Sequence, residues 1–253
     1  MRPQPTWLIN DDLDYEEVEL GRLKSGKEAE VFVIERSYGE RSCLLAHKRY
    51  RPRRVTNKGE LEALGFERTN SFMNDLEYRD GRRFAKSRDQ RAVDRMTGYG
   101  KELLTRRWTG HELEMMERAW DAGVLVPYPV GARGDGMLME YVGSHERAAP
   151  ALAEARLERD ELQLAWSQLT DSLRALVGAG YVHADLSAYN ILWWDDRVWL
   201  IDFPQAVDLT VNPHAHDFLQ RDVANVSRWF AARRVSVDAD EFYGELVSLA
   251  CRF

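Results

Sequence analysis

His183-Ala184-Asp185-Leu186-Ser187-Ala188-Tyr189-Asn190, and then Ile201-Asp202-Phe203, arrange proton- and metal-handling side chains around two short apolar runs. Between them, Ile191 to Trp194 predicts a strand, Asp195-Asp196 a turn, and Val198 to Ile201 the returning strand. Such a hairpin returns Asp202 to the side of Asn190. Asp185 and Asn190 share one backbone excursion, so a carboxylate able to accept a hydroxyl proton lies near two oxygen ligands for a divalent cation. Mg²⁺ wants oxygen in near-octahedral geometry and keeps several waters, so one carboxylate, one amide oxygen and the phosphates of a nucleotide suffice. A surface hairpin with ordinary acidic turn residues would leave the order and spacing of His183, Asp185, Asn190 and Asp202 unexplained.

An upstream partner follows from the same chemistry. Leu44-Leu45-Ala46-His47-Lys48 is an apolar strand delivering one lysine, and its ammonium can pair with nucleotide phosphates if an acid holds it in place. Glu112 is the best-placed acid, in the helical run Gly110 to Ala122 where Leu113, Met116 and Trp120 form an apolar stripe. Between residues 20 and 34, Gly21 to Lys27 satisfies most of a Walker pattern, but the next residue is Glu28 rather than Ser or Thr. The glycines also precede a strand-like run instead of opening a helix. A loop between two strands that folds over phosphates fits better, with Ser25, Gly26, Lys27 and nearby amides facing the nucleotide.

These motifs resemble those of the RIO-type atypical protein kinases, closest to the RIO1 branch. Ser25-Gly26-Lys27-Glu28-Ala29-Glu30-Val31-Phe32 resembles that family's phosphate loop, and Lys48 its ATP-anchoring lysine. Trp108 with His111-Glu112 resembles the start of the helix bearing the acidic partner, and Met139-Glu140-Tyr141-Val142-Gly143 the linker between lobes. His183 to Asn190 resembles the catalytic loop, and Ile201-Asp202-Phe203-Pro204-Gln205-Ala206-Val207 is the most specific match, with proline where ordinary kinases have glycine. Asn212-Pro213-His214-Ala215 and Phe218-Leu219-Gln220-Arg221-Asp222-Val223 resemble the closing helical segment. The departures are Ala188, where the family commonly has Glu, and His47, which interrupts the strand before Lys48. The first twenty residues are too short for the winged-helix domain of the RIO2 branch.

The resemblance implies an α+β, bilobal protein-kinase-like fold with a β-rich N-lobe, a mainly helical C-lobe and no long activation loop. It implies an N-terminal extension over 1–17, an N-lobe over 18–142 with a basic insert at about 50–107, and a C-lobe over 143–253. Asp185, Lys48, Glu112, Asn190 and Asp202 become the catalytic set, Asn190 and Asp202 holding the metal. ATP with Mg²⁺, or Mn²⁺ in its place, is the implied cofactor pair. Adenine is expected in an apolar slot with Leu23, Val31 and Ala46 as roof, Met139 as back, and Leu192 with Ile201 as floor. The backbone of Glu140, Tyr141 and Val142 is expected at the ring edge.

Composition agrees with one such unit. The chain has 253 residues, 44% of them apolar, enough for a sizeable core. Strands are expected near 18–24, 29–36, 43–49, 128–132 and 136–141, and helices near 108–122, 150–178 and 216–232. Two cysteines and no 18-residue apolar run or signal peptide point to a reducing cytoplasm and no membrane. The net charge of −7 conceals two basic stretches. Residues 48–58 carry six Lys and Arg without an acid, and 79–107 carry ten basic against four acidic groups. They could serve an acidic protein or RNA, or be a solvated insert.

The resemblance implies transfer of the ATP γ-phosphoryl group to a serine or threonine hydroxyl of an as yet unknown protein substrate, with autophosphorylation. Its alternative is an ATPase-type assembly switch on a small-ribosomal-subunit precursor. A small-molecule phosphotransferase shares the His-x-Asp-x-x-x-x-Asn loop and stands third.

Overall fold

The structure is a computed structural model and describes residues 2–10, 12–26, 29–51, 98–134 and 136–251. The expectations for Lys27 and for nearly all of the basic insert lie outside these residues.

The first part of the chain is a five-stranded antiparallel sheet, β1 (Glu16–Ser25), β2 (Ala29–Tyr38), β3 (Arg41–Tyr50), β4 (Pro129–Arg133) and β5 (Gly136–Glu140), in the order β1-β2-β3-β5-β4. Strand alternation divides it into two faces. Val31 opposite Lys48 and Val33 opposite Ala46 share the inner face, while Ile34 opposite Leu45 and Arg36 opposite Cys43 share the outer one. The outer face is covered by the N-terminal segment, whose Leu8 and Ile9 are buried against Ile34, Cys43, Leu45 and Leu138. Arg36, 1% exposed, is satisfied there by Glu17 Oε1 at 2.9 Å and the Ile9 carbonyl at 2.8 Å. Burial of such a charge is tolerable only with partners of this kind. On the other side of β3, a Cβ at Gly136 would sit 2.0 Å from the Lys48 carbonyl oxygen. Only glycine lets β5 run this close to the strand that carries Lys48.

Helix α1 (Gly98–Ala122) connects β3 to β4 and begins ten residues before its expected start. The rest is mainly helical, with α2 (Arg159–Gly178), α3 (Ala215–Ala231) and α4 (Ala239–Ala250). The expected two-lobed α+β fold is therefore present. Leu162, Ala165, Leu169, Leu173 and Leu176 of α2 form a buried stripe at helical spacing. Residues 150–158, expected as helix, are not helical. Glu158 and Glu161 form a capping box that starts α2 at 159. Before it, Pro150 to Leu152 pair with the hairpin instead, Leu152 donating to the Ile191 carbonyl at 2.7 Å, and Ala153 donates to the Ala188 carbonyl at 2.9 Å.

The hairpin is β7 (Ile191–Trp194) and β8 (Arg197–Leu200), turning through Asp195 and Asp196 with φ of 52° and 53°. Positive φ at both central residues is the twist-compatible two-residue hairpin turn, and Asp tolerates it. Two-residue strands β6 (Tyr181–Val182) and β9 (Val207–Asp208) pair on either side of it in sequence and close the loop bearing Asp202. Among the described residues, no helix is long and apolar enough to cross a membrane.

Candidate active site

Lys48 arrives on the inner face of β3 and is 9% exposed. Its Nζ donates to Glu112 Oε1 at 2.7 Å, Glu112 Oε2 at 2.9 Å and Asp202 Oδ1 at 2.6 Å. Three carboxylate oxygens around one ammonium hold it charged. Burial works to lower the Lys48 pKa, and the two carboxylates outweigh it and push it up. Asp202 also feels burial, which raises its pKa, but the Lys48 charge and hydrogen bond hold it below the usual carboxylate range. Its side chain is still 43% exposed, so the oxygen not used by Lys48 is open to a ligand. Glu112 is 1% exposed and accepts a third bond, from the Phe203 amide at 3.2 Å. The expected Lys48–Glu112 pair is thus formed, and it includes Asp202.

The loop from His183 to Asn190 is anchored from beneath. Ala184 has φ of +64°, the left-handed region that costs a non-glycine residue on the order of 1 kcal/mol or more. The neighbouring pair Arg221-Asp222 of α3 holds it there. Asp222 Oδ2 accepts the Ala184 amide at 2.7 Å, Oδ1 accepts the Leu186 amide at 2.9 Å, and Arg221 donates to the Ala184 carbonyl. Burial drives the Asp222 pKa up to about 7, against the two amides and Arg221. The sequence placed Arg221 and Asp222 in the closing helix but gave them no role. An acid and a base side by side in an amphipathic helix carry no local sign that they face a loop 36–38 residues upstream.

Asp202 is left-handed too, with φ of +72°, and its neighbours are tied down on both sides. Ile201 donates to the Asn190 carbonyl at 3.0 Å, and its own carbonyl faces His183 Nε2 at 3.1 Å. A carbonyl only accepts, so His183 carries its proton on Nε2. Complete burial lowers the His183 pKa to about 4, so the ring is neutral and acts as a strut against Phe203, 4.6 Å away between ring centroids. Phe203 is held by Glu112, and the turn from Phe203 to Ala206 closes with an N–H···O bond of 3.0 Å.

Asn190 and Asp202 are brought together as anticipated, through the Ile201–Asn190 bond. Asn190 Nδ2 donates to the Asp185 carbonyl at 2.8 Å, which commits the nitrogen and leaves Oδ1 as the atom that could meet a cation. An amide oxygen and a carboxylate are hard donors of the kind Mg²⁺ prefers. Among the described residues no group of three or more His, Cys, Asp or Glu could hold a metal alone. The donor set fits a cation that completes its shell with phosphates and water.

Around the slot, Ala46 is buried, Val31, Met139, Leu192 and Ile201 are half-buried, and Leu23 is 43% exposed. The Glu140 amide donates to the Tyr128 carbonyl at 2.8 Å and the Tyr141 amide to Leu44 at 3.3 Å, while the Val142 carbonyl accepts from Ala149 at 2.9 Å. At the hairpin tip, the Gly26 amide is used by the Ala29 carbonyl at 2.9 Å and Ser25 Oγ accepts from Arg51 at 2.7 Å. Arg51 and Arg22 also hold Glu30, at 2.9 and 3.0 Å, which braces the facing ends of β1 and β2.

Comparison with known proteins gives the same grouping. The RIO1 family model, described as RIO domain, matches residues 67–242. RIO-type serine/threonine-protein kinase Rio1 of Haloferax volcanii is 35% identical over 146 residues, 58% of this chain and 49% of that protein. Serine/threonine-protein kinase RIO3 of Homo sapiens is 35% identical over 143 residues, 56% of this chain and 27% of that protein. A probable serine/threonine-protein kinase RIO1 homolog of Encephalitozoon cuniculi is 26% identical over 218 residues, 86% of this chain and 54% of that protein. The chain spans about half the length of the archaeal relative and about a quarter of the human one. With a family match over more than half its length, this chain belongs to the RIO domain family.

Proposed function

We propose that this protein is an ATP- and Mg²⁺-dependent kinase that transfers the γ-phosphoryl group to a serine or threonine hydroxyl of a protein, itself included. The observation that carries the reading is Lys48 Nζ held between Glu112 and Asp202 at 2.6–2.9 Å, next to the loop that presents Asp185 and Asn190. Residues 18–142 form the nucleotide-covering lobe and 143–253 the lobe that presents the acceptor.

In this reading Lys48 draws the nucleotide phosphates to the back of the slot, and Ser25 and the braced hairpin tip close over them. Lys27 belongs with that loop. Adenine lies among Leu23, Val31, Ala46, Met139, Leu192 and Ile201. Its ring edge meets the Glu140 carbonyl and the Val142 amide, since the amides of Glu140 and Tyr141 and the carbonyl of Val142 are bonded within the protein. Asp185 accepts the proton of the attacking hydroxyl. A bond forms between that oxygen and the γ-phosphorus as the bond to the β–γ bridging oxygen breaks, and ADP leaves. Mg²⁺, held by Asn190 Oδ1 and Asp202, would neutralise the charge developing on the phosphates.

An ATPase switch is the second reading, favoured by the short passage from Asp202 to α3. Residues 203–214 hold turns at 204–205, 209–211 and 213–214 and the two-residue β9, with no extended segment to seat a peptide. The basic insert is where we place an acidic protein, RNA or ribosomal-precursor contact. Cys43 and Cys251, both free, suit a reducing cytoplasm.

Time courses with γ-labelled ATP test the assignment, following protein labelling and phosphate release separately. Labelling that requires Mg²⁺ and Lys48 supports the kinase. Phosphate release without labelling of any protein favours the switch, and neither activity in the folded protein overturns both.

A further inference from the structure

We propose that His111 is a positioning residue for the segment that presents Asp202, acting through the carbonyl of Ala206; the proposal rests on the kinase reading and deepens it. His111 Nε2 lies 3.0 Å from the Ala206 oxygen, across 95 residues of sequence. Because a carbonyl can only accept, the contact requires a proton on Nε2. The next residue of the same helix, Glu112, accepts the amide of Phe203 at 3.2 Å. Consecutive residues of α1 therefore hold both ends of one short loop, Glu112 its head and His111 its tail.

The loop between those ends is itself buried, Phe203 against the His183 ring and Ala206 at 1% exposed. Within it the Ala206 amide donates to the Phe203 carbonyl at 3.0 Å, and Val207 just beyond pairs with Val182. That turn sits between the two contacts from α1. Its first neighbour is Asp202, at φ of +72°, a backbone that relaxes toward ordinary values when its surroundings loosen. Glu112 cannot replace His111, since it is already committed to Lys48 at 2.7 and 2.9 Å. The division of labour is then definite. Glu112 sets Lys48, and so the nucleotide phosphates. His111 sets the direction in which Asp202 presents its outer oxygen, and so the metal.

The test compares His111→Leu, which keeps bulk and loses the N–H, with His111→Gln, whose amide nitrogen reaches the Nε2 position and can donate. Hydrogen exchange of the Phe203 and Ala206 amides is read without nucleotide or metal. His111→Leu should speed it about tenfold relative to wild type and His111→Gln should restore it to within about twofold. Titration calorimetry with ATP then separates the two roles. In EDTA, both variants should bind within about twofold of wild type. With Mg²⁺, His111→Leu should lose about five- to tenfold in affinity and His111→Gln should recover it. Unchanged exchange in His111→Leu overturns the proposal, as do equal losses in Leu and Gln, which would make the imidazole a packing group. Wild type that gains nothing from Mg²⁺ defeats the kinase reading, while the exchange experiment still judges the His111 tether.

Discussion

Asp222 reaches the Ala184 amide at 2.7 Å from 38 residues further along the chain. It thereby pins the loop on which Asp185 is carried. Its counterpart beneath the same loop is His183, and the two titrate in opposite senses. Asp222 has a folded pKa raised from 3.8 to about 7, so the folded state holds its proton between those values and the unfolded state does not. Stability from this group is complete below about 4 and falls as pH rises to 7. His183 is lowered from 6.5 to about 4, so the unfolded state takes the proton first. Its contribution is complete above 6.5 and falls as pH drops to 4. Between pH 4 and 6.5 the two slopes, each up to about 1.4 kcal/mol per pH unit, cancel in the wild type. Asp222→Asn should therefore make denaturant stability rise with pH in that window, and His183→Gln should make it fall. Parallel pH profiles for all three proteins would sink the assignment.

A second prediction concerns the buried ion pair. Lys48→Met leaves the Glu112 carboxylate, 1% exposed, without its cation. Breaking such a pair from one side costs about 3–5 kcal/mol, whereas replacing both charges is often near neutral. Urea denaturation should show Lys48→Met strongly destabilised and the double change Lys48→Met with Glu112→Gln recovering at least half of the loss. Simple additivity of the two single changes would mean that the pair is not coupled.

How much of this was legible from sequence differs by element. The hairpin was, because Asp195-Asp196 sits between two apolar runs of matching length. The five-stranded sheet and the stripe of α2 were, because their periods extend over enough residues to be counted. The start of α2 was misplaced because the residues before it, Pro150 to Leu152, are apolar but pair with β7. Lys48, Glu112, Asn190 and Asp202 were found from their chemistry, and the structure brings them together. Arg221, Asp222 and His111 act on backbone groups of distant loops. Backbone groups have no sequence identity, so no pattern of side chains could announce those contacts.

The metal is predicted to depend on two ligands of unequal weight. Asp202 would be a charged ligand, while Asn190 would contribute a neutral oxygen whose partner nitrogen is bonded to the Asp185 carbonyl. Asp202→Ala should abolish the Mg²⁺-dependent part of nucleotide binding. Asn190→Ala should weaken it by a smaller factor, and Asn190→Asp should keep it with altered preference between Mg²⁺ and Mn²⁺. Calorimetry at several metal concentrations distinguishes these. Identical metal dependence in Asp202→Ala and wild type would move the cation site elsewhere.

The last prediction isolates Asp185. Asn190 Nδ2 bonds its backbone carbonyl at 2.8 Å, and the adjacent amides of Ala184 and Leu186 are held by Asp222 at 2.7 and 2.9 Å, so the loop keeps its shape when the Asp185 side chain alone is changed. Asp185→Asn is nearly isosteric and removes the carboxylate proposed to take the acceptor proton. In the proposed kinase, nucleotide affinity is set by Lys48, the apolar slot and the metal ligands, none of which is touched. A positioned general base contributes about 10²- to 10⁴-fold in rate. Asp185→Asn should therefore bind ATP as the wild type does, with protein labelling slowed by about that factor. Because the loss is in proton acceptance and not in binding, it should appear in kcat with KM for ATP little changed. Raising ATP should not rescue it. Near-normal labelling would remove Asp185 from the chemistry. Loss of labelling with undiminished, protein-dependent phosphate release would show that water is activated without it, and would transfer the weight of the argument to the switch.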